Sequence, residues 1–315
     1  MDISIIICTY NRVDNLKDCF NCLASQEITS NFAWEVLLVD NNSSDHTKQF
    51  TLDYAAQADF KLRYSFESQQ GLSHARNHGV NDSTGRILIF IDDDIRVSKN
   101  WLQSIVNAFN TQQCDAVGGR IHIESPAKLP KWITLDMYGF LGHQDFGNEP
   151  RSMDGYKEFP FGGNMAIKRA VFEKIGLFDT SMGRKGTGLK KEELFKGEET
   201  DFFHRLADVG GRFYYQPEAL VLHKIWDTLL AHQLKPKFFL TLHNNAGQLE
   251  SRRDASTYRR TILGIPMFIF PQFVRATIKY IELCITKGPN FSFRQLMTVT
   301  YFLGLMEGYY KNNSL

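Results

Sequence analysis

The chain of 315 residues lacks a disulfide framework. Its cysteines, Cys8, Cys19, Cys22, Cys114 and Cys284, are odd in number and irregularly spaced. Cys19 and Cys22 form a lone CxxC inside a helix-like stretch. With no second pair and no nearby histidine to complete a zinc site, they read as buried helix cysteines. Free thiols fit a reducing compartment, the cytosol. Neither sign of charge dominates: 36 Lys and Arg face 35 Asp and Glu, so no global field draws the chain to nucleic acid. No apolar run reaches the ~20 residues of a membrane-spanning helix. Met1-Asp2 and the short run Ile3–Cys8 lack the basic start and long apolar core of a signal peptide. Repeats and low-complexity tracts are absent too. What remains is an ordinary globular composition, 43% apolar and 23% charged, enough for one large core or for a core with an appendage.

Four short β-branched runs punctuate the first hundred residues: Ile3–Cys8, Trp34–Val39, Leu62–Phe66 and Ile87–Ile91. Helix-like stretches at Asp14–Leu23, Ser44–Ala56 and Leu72–Asn81 separate them. This alternation predicts βαβ units, hence an α/β fold with a mostly parallel central sheet flanked by helices. Runs as continuous as Ile87-Leu88-Ile89-Phe90-Ile91 predict a sheet covered on both faces. Such sheets bind ligands beyond the carboxyl ends of their strands. Those ends are Thr9-Tyr10-Asn11-Arg12, Asp40-Asn41-Asn42-Ser43, Glu67-Ser68-Gln69-Gln70-Gly71 and Asp92-Asp93-Asp94. One polar end is loop chemistry or a helix cap, a part suited to Ser43 or Ser44. Four converging on one edge favour a ligand crevice. Residues 112–165, rich in Gly, Pro and aromatics, read as a long irregular segment, functional or mobile. Helices follow near Arg169–Ile175 and Glu199–Ala207, and strands near Arg212–Tyr215 and Ala219–Leu222.

The densest chemical signal is Asp92-Asp93-Asp94 at the end of an apolar strand. Three adjacent carboxylates repel and raise one another's pKa unless a cation neutralises them. Mn²⁺ or Mg²⁺, sharing its shell with substrate phosphates, would do so; a solvated acidic turn is the plain alternative. A second cluster, Gly197-Glu198-Glu199-Thr200-Asp201, opens a helix. There carboxylates suit the helix dipole or supply a general base that deprotonates an attacking hydroxyl. His223 ends the run Ala219–Leu222. A lone histidine is usually structural, yet an imidazole here would suit Mn²⁺.

On these residues the chain resembles family 2 glycosyltransferases. Ile5-Ile6-Ile7-Cys8-Thr9-Tyr10-Asn11-Arg12 is similar to the family's opening strand and donor loop. Val36–Asp45 is similar to its second strand, with the aspartate that reads the nucleobase. Gly71–Asn77 resembles a nucleotide-contacting segment, and Phe90–Asp94 the DxD metal motif. Phe161-Gly162-Gly163-Asn164-Met165 resembles the loop lining sugar and acceptor, and Gly197–Asp201 the motif carrying the base. Each motif is weak alone; their joint order is specific. The resemblance implies the Rossmann-like GT-A fold and inverting transfer of a sugar from a nucleotide-diphosphate donor to a hydroxyl. It implies that Thr9, Tyr10, Asn11, Arg12, Asp40, Asn42 and Arg76 bind nucleotide and diphosphate, with Asp92 and Asp93 near ribose and sugar. Gly163 and Asn164 would line the sugar and acceptor site. Asp94 would hold a divalent metal, Mn²⁺ or Mg²⁺, with His223 and Asp92 as further ligands. Glu199 stands where the family carries aspartate, one methylene longer, which leaves Glu198 open as the base although Glu199 is the favoured one.

Residues 1–225 are expected to form the catalytic domain and 226–315 a helical extension. In that extension the apolar run Ile262–Phe270, followed by Arg275, Lys279 and Lys287, reads equally as an interfacial membrane helix or as part of a packed helix pair. The expected acceptor is a glycan or lipid-linked glycan of cell-surface polysaccharide, lipopolysaccharide or capsule assembly, and the expected location the cytoplasm or the inner membrane face. Two other functions stay open: a non-catalytic nucleotide-sugar binder of the same fold, and a nucleotidyltransferase using Arg12 and Arg76. A dinucleotide oxidoreductase is disfavoured, because Thr9-Tyr10-Asn11-Arg12 stands where GxGxxG would be.

Overall fold

A computed structural model describes residues 1–125, 128–186, 193, 197–225, 235–254, 258 and 260–312. They fall into two compact units. The first comprises Met1–Ser125, Leu141–Gly186 and Glu198–Ile225; the second comprises the described residues of 126–140, 187–197 and 226–315.

The first unit is built on a nine-stranded mixed sheet. Strands β1 (Ile3–Thr9), β2 (Trp34–Asp40), β3 (Lys61–Phe66) and β4 (Ile87–Asp92) lie parallel in the order β3-β2-β1-β4. They are joined by helices α1 (Val13–Ala24), α2 (Thr47–Ala55) and α3 (Leu72–Asp82). The short β5 (Ile95–Val97) and helix α4 (Trp101–Thr111) follow, then β6 (Ala116–Glu124), β7 (Arg151–Met153) and β8 (Met165–Lys168). Helices α5 (Arg169–Ile175) and α6 (Glu198–Asp208) and strand β9 (Phe213–Lys224) complete the unit. β8 lies antiparallel between β4 and β6, β9 runs parallel to β6, and β5 and β7 pair antiparallel with β9.

Successive strand side chains point to opposite faces, and the core divides accordingly. Ile5, Ile7, Val36, Leu38, Ile89 and Ile91 pack on one side with Leu16, Phe20 and Leu23 of α1 and Trp101 of α4. Ile6, Leu37, Val39, Leu88 and Phe90 pack on the other with Ala75 and Val80 of α3 and Phe202, Phe203 and Leu206 of α6. Both faces are covered, as the unbroken apolar strands require. Residues 112–165 hold more order than their composition suggests: β6 takes nine of them, and β7 and a 3-10 turn at Leu135–Leu141 take more. The two strands expected at 212–222 are one strand, β9.

In the second unit, helix α7 (Pro236–Arg253) packs against α9 (Pro289–Asn312) at close range. A Cβ on Gly304 would stand 1.9 Å from the Asn244 carbonyl oxygen, so only glycine allows this crossing. Trp132 sets its ring edge-on to Phe239 and Phe293, with centroids 5.3 Å and 4.6 Å away. The run Ile262–Phe270 is not a helix. It forms a hairpin of β10 (Thr261–Ile262) and β11 (Ile265–Pro266) around left-handed Leu263 and Gly264, and only its end enters helix α8 (Ile269–Lys287). Gly264 and Pro266 break the helical pattern there. Among the described residues no helix is long and apolar enough to cross a membrane.

Candidate active site

Adjacent parallel strands deliver their carboxyl ends to one edge. The register pairs Thr9 with Asp40 and Cys8 with Asp92, so the loops after β1, β2 and β4 emerge side by side. The first two are laced together. Asn11 N–H donates to Ser43 Oγ (2.9 Å), Ser44 N–H to Asn11 Oδ1 (2.7 Å) and Val13 N–H to Asp45 Oδ2 (3.1 Å). Asn11 and Asn42 adopt left-handed backbone at φ 50° and 69°, a conformation asparagine tolerates. Ser43 and Ser44 therefore tie loop to loop, and α2 starts later, where Asp45 Oδ1 accepts from Thr47 N–H (3.1 Å). Asp40 is buried, with Oδ1 accepting from Ser43 N–H (2.8 Å) and Oδ2 from the Tyr64 hydroxyl (2.9 Å). Tyr10 is half-buried; Asn11 and Asn42 are exposed.

The acidic triplet divides its work. Asp93 is buried and receives Thr9 Oγ1–H (2.6 Å), Arg12 Nη1–H (3.1 Å) and Asn15 Nδ2–H (3.3 Å). Its carboxylate is occupied by the protein and clamps β1 to β4 instead of pointing at a sugar. Arg12 also donates to Asp94 Oδ2 (3.0 Å), so its guanidinium is turned into the triplet. Asp94 Oδ1 is buried without a hydrogen-bond partner and faces His223 Nε2 at 3.4 Å. His223 Nδ1 lies 2.8 Å from the Leu141 carbonyl, which orients the ring and, in the neutral imidazole, leaves Nε2 as the bare nitrogen. Asp92 is half-buried beside Gly163, whose Cβ, if present, would sit 3.6 Å from Asp92 Oδ2.

Burial raises the pKa of Asp92 and of Asp93, and the neighbouring carboxylates add to the effect. Burial pushes Asp94 the same way, but His223 and Arg12 outweigh it and hold Asp94 below the usual carboxylate range. Burial works against a charged His223, yet Asp94 lifts its pKa above the ordinary 6.5.

Arg76, on α3, is 2% exposed and joins the triplet to the glutamate cluster. Its Nη1 donates to Glu198 Oε1 (3.1 Å) and its Nη2 to Glu199 Oε1 (3.0 Å), with Asp92 Oδ1 at 3.9 Å from Nη2. Arg76 is thus enclosed by carboxylates and not open to a diphosphate. The side chain of Glu198 is 5% exposed and that of Glu199 26%. Asn164, expected at the sugar, is buried. Its Oδ1 accepts from Trp101 Nε1–H (2.9 Å), and its Nδ2 donates to the carbonyls of Ala219 (2.8 Å) and Arg120 (3.1 Å). With its amide filled on both ends, it pins the 161–165 loop, and only Gly163 adjoins Asp92.

Arg184 escaped the sequence reading. Its carbonyl accepts from Leu72 N–H (2.9 Å). Burial and the neighbouring Arg12 lower its pKa, and the charge of the triplet carboxylates works the other way. Its one sequence signal is a basic pair set between Gly183 and Gly186. Asp92, Asp93, Asp94, Glu198 and Glu199 carry five negative charges against three on Arg12, Arg76 and Arg184.

The profile of the family described as "Glycosyl transferase family 2" matches residues 4–176. The chain belongs to this family and is a glycosyltransferase. It is 25% identical over 233 residues to the glucosyl-dolichyl phosphate glucuronosyltransferase of Haloferax volcanii, covering 72% of this chain and 70% of that one. Among solved structures it resembles the mannosyltransferase PcManGT of Pyrobaculum calidifontis in complex with GDP-Man and Mn²⁺, with a TM-score of 0.59, 15% identity and coverage of 99% and 88%. It also resembles residues 1–349 of S. aureus TarS in complex with UDP, with a TM-score of 0.54, 16% identity and coverage of 99% and 92%. These two similarities define the fold as GT-A.

Proposed function

We propose that this glycosyltransferase moves a sugar from a nucleotide-diphosphate donor to an acceptor hydroxyl in one displacement that inverts the anomeric carbon. The observation that carries the proposal is that Asp92 and Glu199 flank one guanidinium nitrogen of Arg76, at 3.9 Å and 3.0 Å. On this reading Asp92, at the end of β4, is the donor-side carboxylate, and Glu199, in the first turn of α6, is the base. The complexes of PcManGT with GDP-Man and Mn²⁺ and of TarS with UDP support a nucleotide-sugar donor.

Thr9, Arg12 and Asp93 fix the floor of the donor crevice. The loops at 9–12 and 40–45, shaped by Asp40, Asn11 and Asn42, form the wall against which nucleobase and ribose lie. Asp92 and Gly163 face the sugar. Asp94 Oδ1, lacking a hydrogen-bond partner, and His223 Nε2 are an oxygen and an imidazole nitrogen of the kind Mn²⁺ accepts. Among the described residues no three His, Cys, Asp or Glu side chains are gathered to hold a metal, so Asp92, expected as a further ligand, does not join these two; Asp94 and His223 would hold the ion, which would neutralise charge developing on the departing diphosphate. Glu199 is the base: its partly exposed carboxylate takes the acceptor's proton as the hydroxyl oxygen attacks and the nucleoside diphosphate leaves. Glu198, nearly buried on Arg76, holds that arginine. The acceptor is a glycan or lipid-linked glycan, in keeping with the dolichyl-linked substrate in the name of the archaeal relative.

The test is Glu199→Gln against Glu198→Gln. Glu199→Gln retains the Mn²⁺-dependent thermal shift with nucleoside diphosphate and loses nucleoside diphosphate release in the presence of acceptor. A fully active Glu199→Gln beside a well-folded, inactive Glu198→Gln would move the base to Glu198. Release of pyrophosphate in place of nucleoside diphosphate would replace sugar transfer with nucleotidyl transfer.

A further inference from the structure

Helix α8 of the second unit carries two opposed faces. Ile269 and Ala276 are buried. Val274, Ile278, Ile281 and Ile285 are 50%, 60%, 52% and 80% exposed. At 100° per residue these four fall within a stripe about 60° wide, on the side of the helix away from Ala276. Leu263, at the tip of the preceding hairpin, is 73% exposed. Single exposed aliphatics are ordinary, but a continuous row along one helix marks a surface that something covers.

Charge identifies the occupant. Residues 226–315 hold eleven Lys and Arg against five Asp and Glu, whereas the whole chain is nearly neutral at +1. Arg275, Lys279 and Lys287 of α8 are exposed and have no ion pair among the described residues, and Glu282 is the helix's one acidic side chain. Two copies meeting through this face would bring like charges together, and an apolar protein partner would leave them unanswered. An anionic lipid surface takes both features: the stripe enters the acyl boundary, and Arg275 and Lys279, about 90° and 130° round the helix from its centre, reach headgroups from the flank, while Lys287 lies on the Ala276 side. We propose that α8 is a peripheral membrane-binding helix, docking its Val274–Ile285 stripe on anionic bilayers. The inference stands apart from the transfer reading, since none of its residues lies in the nucleotide site.

The test is co-sedimentation of the full chain with phosphatidylcholine vesicles and with mixed phosphatidylcholine–phosphatidylglycerol vesicles, together with sedimentation velocity of the protein alone. The wild type pellets with the anionic vesicles and stays in solution with the neutral ones. Binding falls as salt rises from about 0.1 M to 1 M. The double variant Ile278→Glu/Ile285→Glu lowers partitioning about 100-fold, roughly tenfold per buried isoleucine lost. Arg275→Gln/Lys279→Gln lowers it about 30-fold. Both variants alter solvent-facing positions and keep the wild-type melting temperature and nucleotide shift. The proposal is overturned by absence of pelleting with anionic vesicles, or by pelleting that neither variant weakens. It is equally overturned by a wild-type dimer that Ile278→Glu/Ile285→Glu dissociates, which would make the face a contact between copies.

Discussion

Gly162→Ala separates the geometry of the base from its chemistry. A Cβ built on Gly162 would lie 1.8 Å from Glu199 Oε1 and 2.3 Å from Arg76 Nη2, and Cβ atoms do not come within 3.0 Å of another heavy atom. The Glu199 carboxylate must therefore swing away by more than 1 Å, and the Arg76 guanidinium that holds it must give by about 0.7 Å as well. The backbone at 162 is not left-handed, so alanine strains no dihedral. The effect therefore falls on the Glu199 carboxylate and on the Arg76 guanidinium that holds it, both at the ends of flexible side chains. A misplacement of about 1 Å at a reacting group costs on the order of 100-fold in rate. Gly162→Ala should lower kcat about 100-fold while the Mn²⁺-dependent nucleotide shift changes little, read by nucleoside diphosphate release beside thermal shift. Wild-type turnover in Gly162→Ala would refute the placement of Glu199 as base, because no acceptor could be deprotonated equally well from two positions more than 1 Å apart.

Three further outcomes follow from the same geometry. Asp94→Ala should abolish Mn²⁺-dependent stabilisation by nucleoside diphosphate, a shift of about 2.7 kcal/mol at 100-fold excess over Kd in the wild type, measured by thermal or chemical unfolding. Asn164→Ala should cost about 3 kcal/mol of stability in urea, since Trp101 Nε1–H and two buried carbonyls lose their partner; a loss below about 1 kcal/mol would return Asn164 to the substrate side. Mn²⁺ binding should weaken as pH falls. Asp94 raises the pKa of His223 above 6.5, and below that raised value metal must displace one proton. Apparent affinity in calorimetry should therefore drop about tenfold per pH unit below it and be flat above; a flat profile at all pH would remove His223 from the metal.

The sequence by itself determined the parallel half of the sheet, because β1, β2 and β4, covered on both faces, must be apolar throughout, and α1 between them is amphipathic, while the edge strand β3 and helices α2 and α3 follow from the alternation of elements. β1 to β4 and α1 to α3 were legible within a few residues on these two grounds. It also marked the polar strand ends that the fold gathers at one edge, since each strand end carries its polar residues beside it in the chain. β6 was not legible. Gly118 and Gly119 weaken it as a strand signal, and only the fold explains them: a Cβ on Gly119 would strike Asn164 Nδ2 and the Ala219 carbonyl at 2.1 Å each. β9 read as two strands because Pro217 interrupts it. In the structure the β6 register slips between Gly119 and Ile121, and Pro217 falls between the stretches paired with β7 and β5, where no ladder hydrogen bond is required of it. The site divides along the same line. Asp92-Asp93-Asp94 and Glu198-Glu199 announce themselves as charge clusters, but tertiary structure alone decided what each member does. Arg76 could become a buried link between two carboxylate clusters, Asn164 a strut and Arg12 a partner of the triplet only once strands distant in sequence set their donors and acceptors within 3 to 4 Å. Distances of that size arise from packing, and periodicity along a single chain does not encode them.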